Sequence, residues 1–373
     1  MQLRYKKITI KVGSNVLAKA DGTLNVSRIA HLVDQIAVLH KNGVEVVLVS
    51  SGAVAAGRAV MQPSKKTDAV SQRQLWAALG QVKLISRYSD FFQEDGLTCA
   101  QVLTTKENFS SRGHYLNMKN CITTLLENKV IPIVNENDTI SVTELMFTDN
   151  DELSGLIASM VDSEALILLT NVDGVFSAHP NSDDAELIER IEVGEKELAN
   201  AISSERSDFG RGGMHTKFRI AKKVANDGIA VHVANGTSEN VLVDLLDVNK
   251  NLKHTSFVPG TKPSSGVKKW IAYSDGFAKG ELIINEGAEK ALKSEKAVSL
   301  LPVGVISVES RFRRGDLIKI RNENEELIGL GKAAYSSERL EKEKLSERQK
   351  PVVHYDYLYM ENRKGNGEET NKK

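Results

Sequence analysis

Cysteine is nearly absent from this chain. Cys99 and Cys121 are the two among 373 residues, and they stand in no CxxC pair and at no metal-ligand spacing. That pattern excludes a disulfide framework and a structural zinc module, and two reduced, packed thiols are expected. No apolar run approaches the roughly 18 residues of a membrane span, and the opening MQLRYKKITIKVG lacks a signal-peptide core. A cytoplasmic protein with no membrane association is expected. Charge of one sign is not in excess either: 49 Lys and Arg face 49 Asp and Glu, which is far from the footprint of a strongly basic nucleic-acid binder. Counted by segment, residues 1–261 hold 27 Lys/Arg against 31 Asp/Glu, net −4, whereas 262–350 hold 18 against 14, net +4. The chain therefore changes character near residue 261. Its length exceeds the roughly 100 to 200 residues of a usual domain, so one large domain and one smaller one are expected.

What is present begins with alternation. The β-branched runs KITIKVG, VEVVLVSSG, VIPIVNEND and ALILLTNVDGVF are separated by stretches of helical period over 26–41, 71–94, 112–128 and 151–161. That order implies an α/β fold with a largely parallel sheet, in which ligands gather beyond the carboxyl ends of the strands. The informative residues are those just after each strand.

At the end of the first run stand Lys11 and Gly13, with Ser14 and Asn15 directly after. A lysine on an apolar strand commonly snorkels to an edge. With small residues directly behind it, a phosphate can approach both backbone and ammonium. The second run ends in SSGAVAAGRA, whose Gly52 and Gly57 have P-loop spacing, but Arg58-Ala59 stands where Lys-Ser/Thr is required. No Walker site is present. Ser50, Ser51 and Gly52 remain at an expected helix start, where free N–H groups favour an anion and where a plain cap over close-packed alanines is the alternative. NENDTI places Asn135, Asn137 and Asp138 at a strand end, and FTDNDELSG sets Asp149, Asn150 and Asp151 before an apolar helix. Turn and cap chemistry accounts for either cluster alone. Both on one rim suit a substrate with an amino group and a carboxylate. Finally FGRGGMHTKFRIA opens a glycine turn into a lysine-bearing helix, the form of a phosphate cradle and equally of a mobile loop over a cleft.

The set IKVGSNVL, VLVSSGAVAAGR, PIVNENDTI, TDNDELSG, LLTNVDGVF and GRGGMHTK, in that order over residues 7 to about 260, closely resembles the glutamate 5-kinases of the amino-acid kinase family. The resemblance implies a three-layer α/β sandwich with a mainly parallel central sheet, spanning a kinase domain of residues 1–261. It implies ATP-dependent phosphorylation of the side-chain carboxylate of L-glutamate to L-glutamyl 5-phosphate, the first step of proline biosynthesis. It further implies Mg²⁺, feedback inhibition by proline, and a homo-oligomer, dimer or tetramer. Carried over by position, Lys11 falls on the ATP-phosphate lysine with Gly13 beside it, and Ser51, Gly52, Asp138 and Asn150 fall on glutamate-binding positions. Thr170 and Asn171, with the loop Arg211, Gly212, Gly213, Met214, His215, Thr216 and Lys217, fall on nucleotide-binding positions. Lys11, Lys217 and Asp151 are the implied catalytic set, Asp151 organising the two lysines. Asn171 stands where an aspartate is often seen, and Arg211 and His215 occupy variable places, which bears on the detail of nucleotide contact.

The implied chemistry is consistent with these residue types. A glutamate side chain titrates near 4.3, so the nucleophile is ionised at neutral pH and needs no general base. Bringing it to a polyanion is the difficulty: two unit charges 4 Å apart interact by about 4 kcal/mol at an effective dielectric of 20, several orders of magnitude in rate if uncompensated. Cations on the transferring phosphoryl group are the expected remedy. Mg²⁺ takes most of its ligands from phosphates and water, so no protein metal ligand is expected.

The remainder reads as a second module. HTSFVPGTKPSSGVKKW is a proline-bearing linker, and GELIINEGAEKALKSEKAVSLLPVGVISVESRFRRGDLIKIRNENEELIGLGKAAY has short strands broken by glycine turns. Residues 267–350 resemble the PUA domain, a small β-barrel, chiefly through LLPVGVISVESRFRRGDLI. RNA binding through Arg311, Arg313 and Arg314 is one reading of it, and a packing or regulatory module the other. SSERLEKEKLSERQK reads as an exposed helix, and residues 351–373 as a polar C-terminal tail. Besides the glutamate kinase, a sister kinase acting on aspartate, carbamate or N-acetylglutamate, an RNA-binding protein and a purely structural module remain distinct alternatives.

Overall fold

The computed structural model describes residues 1–63, 67–109, 111–140, 150–178, 182, 185–192, 214–260, 266–294, 298–344 and 350–360. The chain divides into two compact units, Met1–Pro263 and Ser264–Lys373.

The first unit carries strands β1 (Lys7–Val12), β2 (Glu45–Ser50), β3 (Thr98–Thr104), β4 (Val130–Glu136), β5 (Ala165–Thr170), β6 (Arg190–Ile191), β7 (Ala230–Asn235) and β8 (Thr255–Phe257). They form one sheet in the order β3-β4-β2-β1-β5-β7-β8-β6. Every pairing is parallel except that of β7 with β8. The expected α/β fold with a largely parallel sheet is the one observed. Both faces of β1, β2, β4 and β5 are buried, and such strands read as unbroken apolar runs, not as an alternation.

The helices confirm the period reading. α2 (Val26–Lys41), α4 (Ala69–Glu94), α5 (Arg112–Glu127) and α6 (Asn150–Met160) coincide with the four periodic stretches to within two residues; the short α1 (Ser14–Leu17) and α3 (Ala53–Arg58) complete the set up to α6. Side-chain caps start three of them: Asn25 accepts from the amide of Arg28, Asp68 from those of Val70 and Ser71, and Ser111 from that of His114. One face of the sheet packs Ile8, Ile10 and Val12 against Ile29, Leu32 and Ile36 of α2 and Leu84, Tyr88 and Phe92 of α4. The opposite face of β1 carries Thr9 and Lys11, and α6 packs there. Strand alternation therefore sends Lys11 away from the apolar core and toward the start of α6.

β3 is absent from the four sequence runs. It is the edge strand with Thr98, Gln101 and Leu103 exposed, and this composition, TCAQVLT, has no clean apolar period. Glycine has a second use here. A Cβ on Gly57 of α3 would lie 1.9 Å from the carbonyl oxygen of Trp76, and one on Gly80 would lie 1.7 Å from that of Ala53. The P-loop-like spacing of Gly52 and Gly57 thus includes a glycine that a close helix crossing requires.

The second unit is a five-stranded mixed sheet of β9 (Gly280–Ile284), β10 (Val305–Ser310), β11 (Leu317–Arg321), β12 (Leu327–Ala333) and β13 (Val353–Met360) in the order β10-β9-β11-β12-β13. Its own core gathers Leu282, Ile284, Ile318, Ile320, Leu340 and Leu358. β13 corrects one expectation, since it lies in the stretch read as a polar tail. Val352, Val353, Leu358 and Met360 are buried and β13 pairs antiparallel with β12, so apolar burial plus ladder hydrogen bonds outweigh the polar character of His354 and Asp356. The rest of that tail, 361–373, lies outside the described residues.

Candidate active site

Two lysines from distant parts of the first unit converge on one carboxylate. Lys11, fifth residue of β1, and Lys217, in the first turn of the helix Met214–Asn226, both pair with Asp151 in the first turn of α6. Nζ of Lys11 meets Oδ1, and Nζ of Lys217 lies 2.9 Å from Oδ2. The side chain of Asp151 is fully buried, and those of Lys11 and Lys217 are only 5% and 9% exposed. Burial by itself would raise the carboxyl's pKa. The charges of Lys11 and Lys217 and the hydrogen bonds from both outweigh it and hold Asp151 below the usual carboxylate range. A buried charge is stable only when paired, and here one anion fixes two cations at a set separation.

Of the residues expected to meet the nucleotide, Gly13 adjoins this centre. Gly13 follows β1, and its amide donates to the carbonyl of Leu169 at 3.3 Å. A Cβ at this position would lie 3.2 Å from that oxygen and 3.5 Å from Nζ of Lys11, so a side chain would crowd the lysine. Thr170 closes β5 beside it and is buried, while Asn171 is exposed. Met214 and Thr216 are half-buried and His215 is exposed at the head of the Lys217 helix. Arg211, Gly212 and Gly213 lie outside the described residues.

A second cluster lies at the ends of β2 and β4. Nδ2 of Asn150, the residue before Asp151, donates to Oγ of Ser51 and to Oδ1 of Asn135, both at 3.0 Å. Asn135 in turn donates to Oε1 of Gln81 on α4 at 2.9 Å. Gly52 has φ of +108°, a left-handed conformation that favours glycine, and it caps α3 without a side-chain bond. Asp138 sits with Asn137 and Gln81 around a cleft of about 360 Å³. The structure thus joins Ser51, Asn150 and Asn135 directly, while Asp138 lines a cleft to which Gln81, the partner of Asn135, also contributes.

Three participants escaped the sequence motifs. Gln81 supports Asn135 from 54 residues away. Tyr88 hydrogen-bonds Ser50 Oγ at 2.8 Å, and burial pushes its pKa up. Arg73 of α4 donates Nη2 to Oδ1 of Asp138 at 2.6 Å. All three stand on one long helix whose sequence shows only its apolar period, so nothing local signals them.

The amino acid kinase family model matches residues 6–235, and the PUA domain model matches 280–351. The chain is 56% identical over 361 residues to a protein named glutamate 5-kinase in Bacteroides thetaiotaomicron, covering 97% of this chain and all of that one. A glutamate 5-kinase of Chlorobaculum tepidum is 47% identical, covering 95% of this chain and 98% of its own length. One from a Thermoanaerobacter species is 41% identical, with 90% of each chain covered. With a buried two-lysine centre on an amino acid kinase sheet and relatives matched along nearly their whole length, the chain belongs to the glutamate 5-kinase family and is a kinase.

Proposed function

We propose that the chain transfers the γ-phosphoryl group of ATP to the side-chain carboxylate of L-glutamate, and that Lys11, Asp151 and Lys217 are its catalytic centre. The observation that carries this reading is the pairing of both lysines with the two oxygens of one buried aspartate. The acceptor is already an anion at neutral pH, so cations suffice and no general base is required. Lys11 and Lys217, held apart by Asp151, flank the phosphoryl group as its equatorial charge develops, where preorganised charge in a dry site is most effective. Gly13, Thr170, Asn171 and the segment Arg211–Lys217 hold the nucleotide. Ser51, Gly52, Asp138 and Asn150 hold the acceptor.

Both oxygens of Asp151 are taken by the lysines, and the described residues contain no group of three or more His, Cys, Asp or Glu arranged to hold a metal. When bound with ATP, Mg²⁺ would take its ligands from the phosphates and water and neutralise their charge. Family membership supports inhibition by proline, a cytoplasmic location, a homodimer or homotetramer, and a domain division at residues 1–261 and 267–350. The test is formation of acyl hydroxamate from ATP, Mg²⁺ and hydroxylamine over L-glutamate, aspartate, carbamate and N-acetylglutamate, with and without proline. L-Glutamate is expected to turn over best and proline to suppress it; faster turnover of another acid rejects the acceptor.

A second activity, RNA binding, is favoured by one feature of the second unit. Arg311 and Arg313 join Lys279 around a cleft of about 530 Å³, and Arg311, Arg313 and Arg314 are all exposed. Binding through phosphates predicts an affinity that falls steeply with salt. Titration with RNA at two salt concentrations, on the wild type and on a variant with all three arginines changed to Gln, decides it.

A further inference from the structure

A free α-amino acid carries opposite charges on the two groups of its α-carbon. A site offering one carboxylate for the ammonium also repels the neighbouring α-carboxylate, unless a cation accompanies it. Asp138, assigned above to the acceptor, has such a companion in Arg73. The guanidinium Nη2 donates to Oδ1 at 2.6 Å, and the side chains are 31% and 11% exposed. The next residue, Gln74, donates Nε2 to the carbonyl of Thr139 at 2.8 Å, so the beginning of α4 grips the loop after β4 at two points. Nε of Arg73 is buried and makes no hydrogen bond of its own. Lys11 and Lys217 are committed to Asp151, and Lys106 pairs with Glu152 at 3.5 Å.

We propose that Arg73 and Asp138 act as a charge pair that reads the zwitterionic end of the acceptor, Asp138 taking the α-ammonium and Arg73 the α-carboxylate. The assignment rests on the glutamate reading above and makes Arg73 a specificity-determining residue. The pair is neutral as a whole, matching a ligand end that is also neutral as a whole, and its ion pair orients a planar fork suited to a carboxylate. Without Arg73, Asp138 favours amines that lack the α-carboxylate charge.

The test compares L-glutamate with its α-carboxamide, which keeps the ammonium and the side-chain carboxylate but loses the α-charge. Hydroxamate kinetics are measured on the full-length wild type, Arg73→Gln and Arg73→Lys. The wild type is expected to favour glutamate. Arg73→Gln is expected to lose roughly 10- to 100-fold in kcat/KM for glutamate, through KM, as for loss of a charge-assisted hydrogen bond. Its kcat/KM for the α-carboxamide is expected to fall far less, that residual turnover reports that the variant is folded, and Arg73→Lys should fall between. Equal losses for both acceptors would show that Arg73 merely holds the loop, and an unchanged KM for glutamate would show no role; either overturns the proposal. A wild type that forms no acyl phosphate from glutamate at all is a different failure, and it removes the acceptor assignment together with this one.

Discussion

Both units display cations, and they do so in opposite ways. In the first, Lys11 and Lys217 are buried and locked to an aspartate with no exposed surface. In the second, Arg311, Arg313 and Arg314 stand in solvent on the turn after β10. Net charge points to the wrong one, since the kinase segment is the acidic one at −4 and the second segment the basic one at +4. Burial decides what a charge can do. A cation in a dry, preorganised setting acts strongly on charge that develops beside it, whereas an exposed one is screened within about 10 Å at 0.1 M salt.

Asp151→Asn should erase the contrast most completely. It leaves two buried ammonium groups without their anion, and breaking such a pair costs about 3–5 kcal/mol. A fall in Tm and near-complete loss of hydroxamate formation are expected; an unchanged Tm would mean that the lysines find water or another partner. A smaller effect of the same pairing is a pH dependence. Because the folded-state pKa of Asp151 is depressed, its contribution to stability is complete above the unfolded value of about 3.9 and is lost as pH falls through the folded value. Thermal unfolding of the wild type should therefore decline more steeply below about pH 4 than that of Asp151→Asn, which lacks this titration. Parallel declines would separate the ion pair from acid stability. The smallest kinase effect is expected from changing Arg311, Arg313 and Arg314 together to Gln. Surface substitutions of this kind usually stay within about 0.5 kcal/mol, so kcat and KM for glutamate should be unchanged. A marked loss of kinase activity would couple the exposed cations to the site.

Much of the first unit was legible because its strands are buried on both faces and its helices carry an apolar stripe, and each of these leaves a period in the sequence. Lys11, Ser51, Asn150 and Asp151 were legible for a related reason, as they end, follow or begin regular elements at the carboxyl rim of the sheet, where motif and position coincide. Arg73 and Gln81 were not. Each meets its partner across 65 and 54 residues respectively, and on the helix surface an Arg or Gln looks like any solvated residue. Strand β13 was hidden by its polar neighbours, because pairing with β12 is a tertiary fact. Gly57 was ambiguous for the opposite reason, since a glycine needed for backbone contact between helices has the same letter as one needed for phosphate.

Lys217 carries the central claim, that buried and paired cations drive the transfer. Lys217→Ala, compared with the wild type for kcat in the hydroxamate assay and for Tm, tests it most directly. A loss of roughly 100- to 1,000-fold in kcat, as for removal of one preorganised charge-stabilising donor, with the folded state retained, is the predicted result. A kcat equal to that of the wild type would contradict the account and leave Lys217 as a structural partner of Asp151 alone.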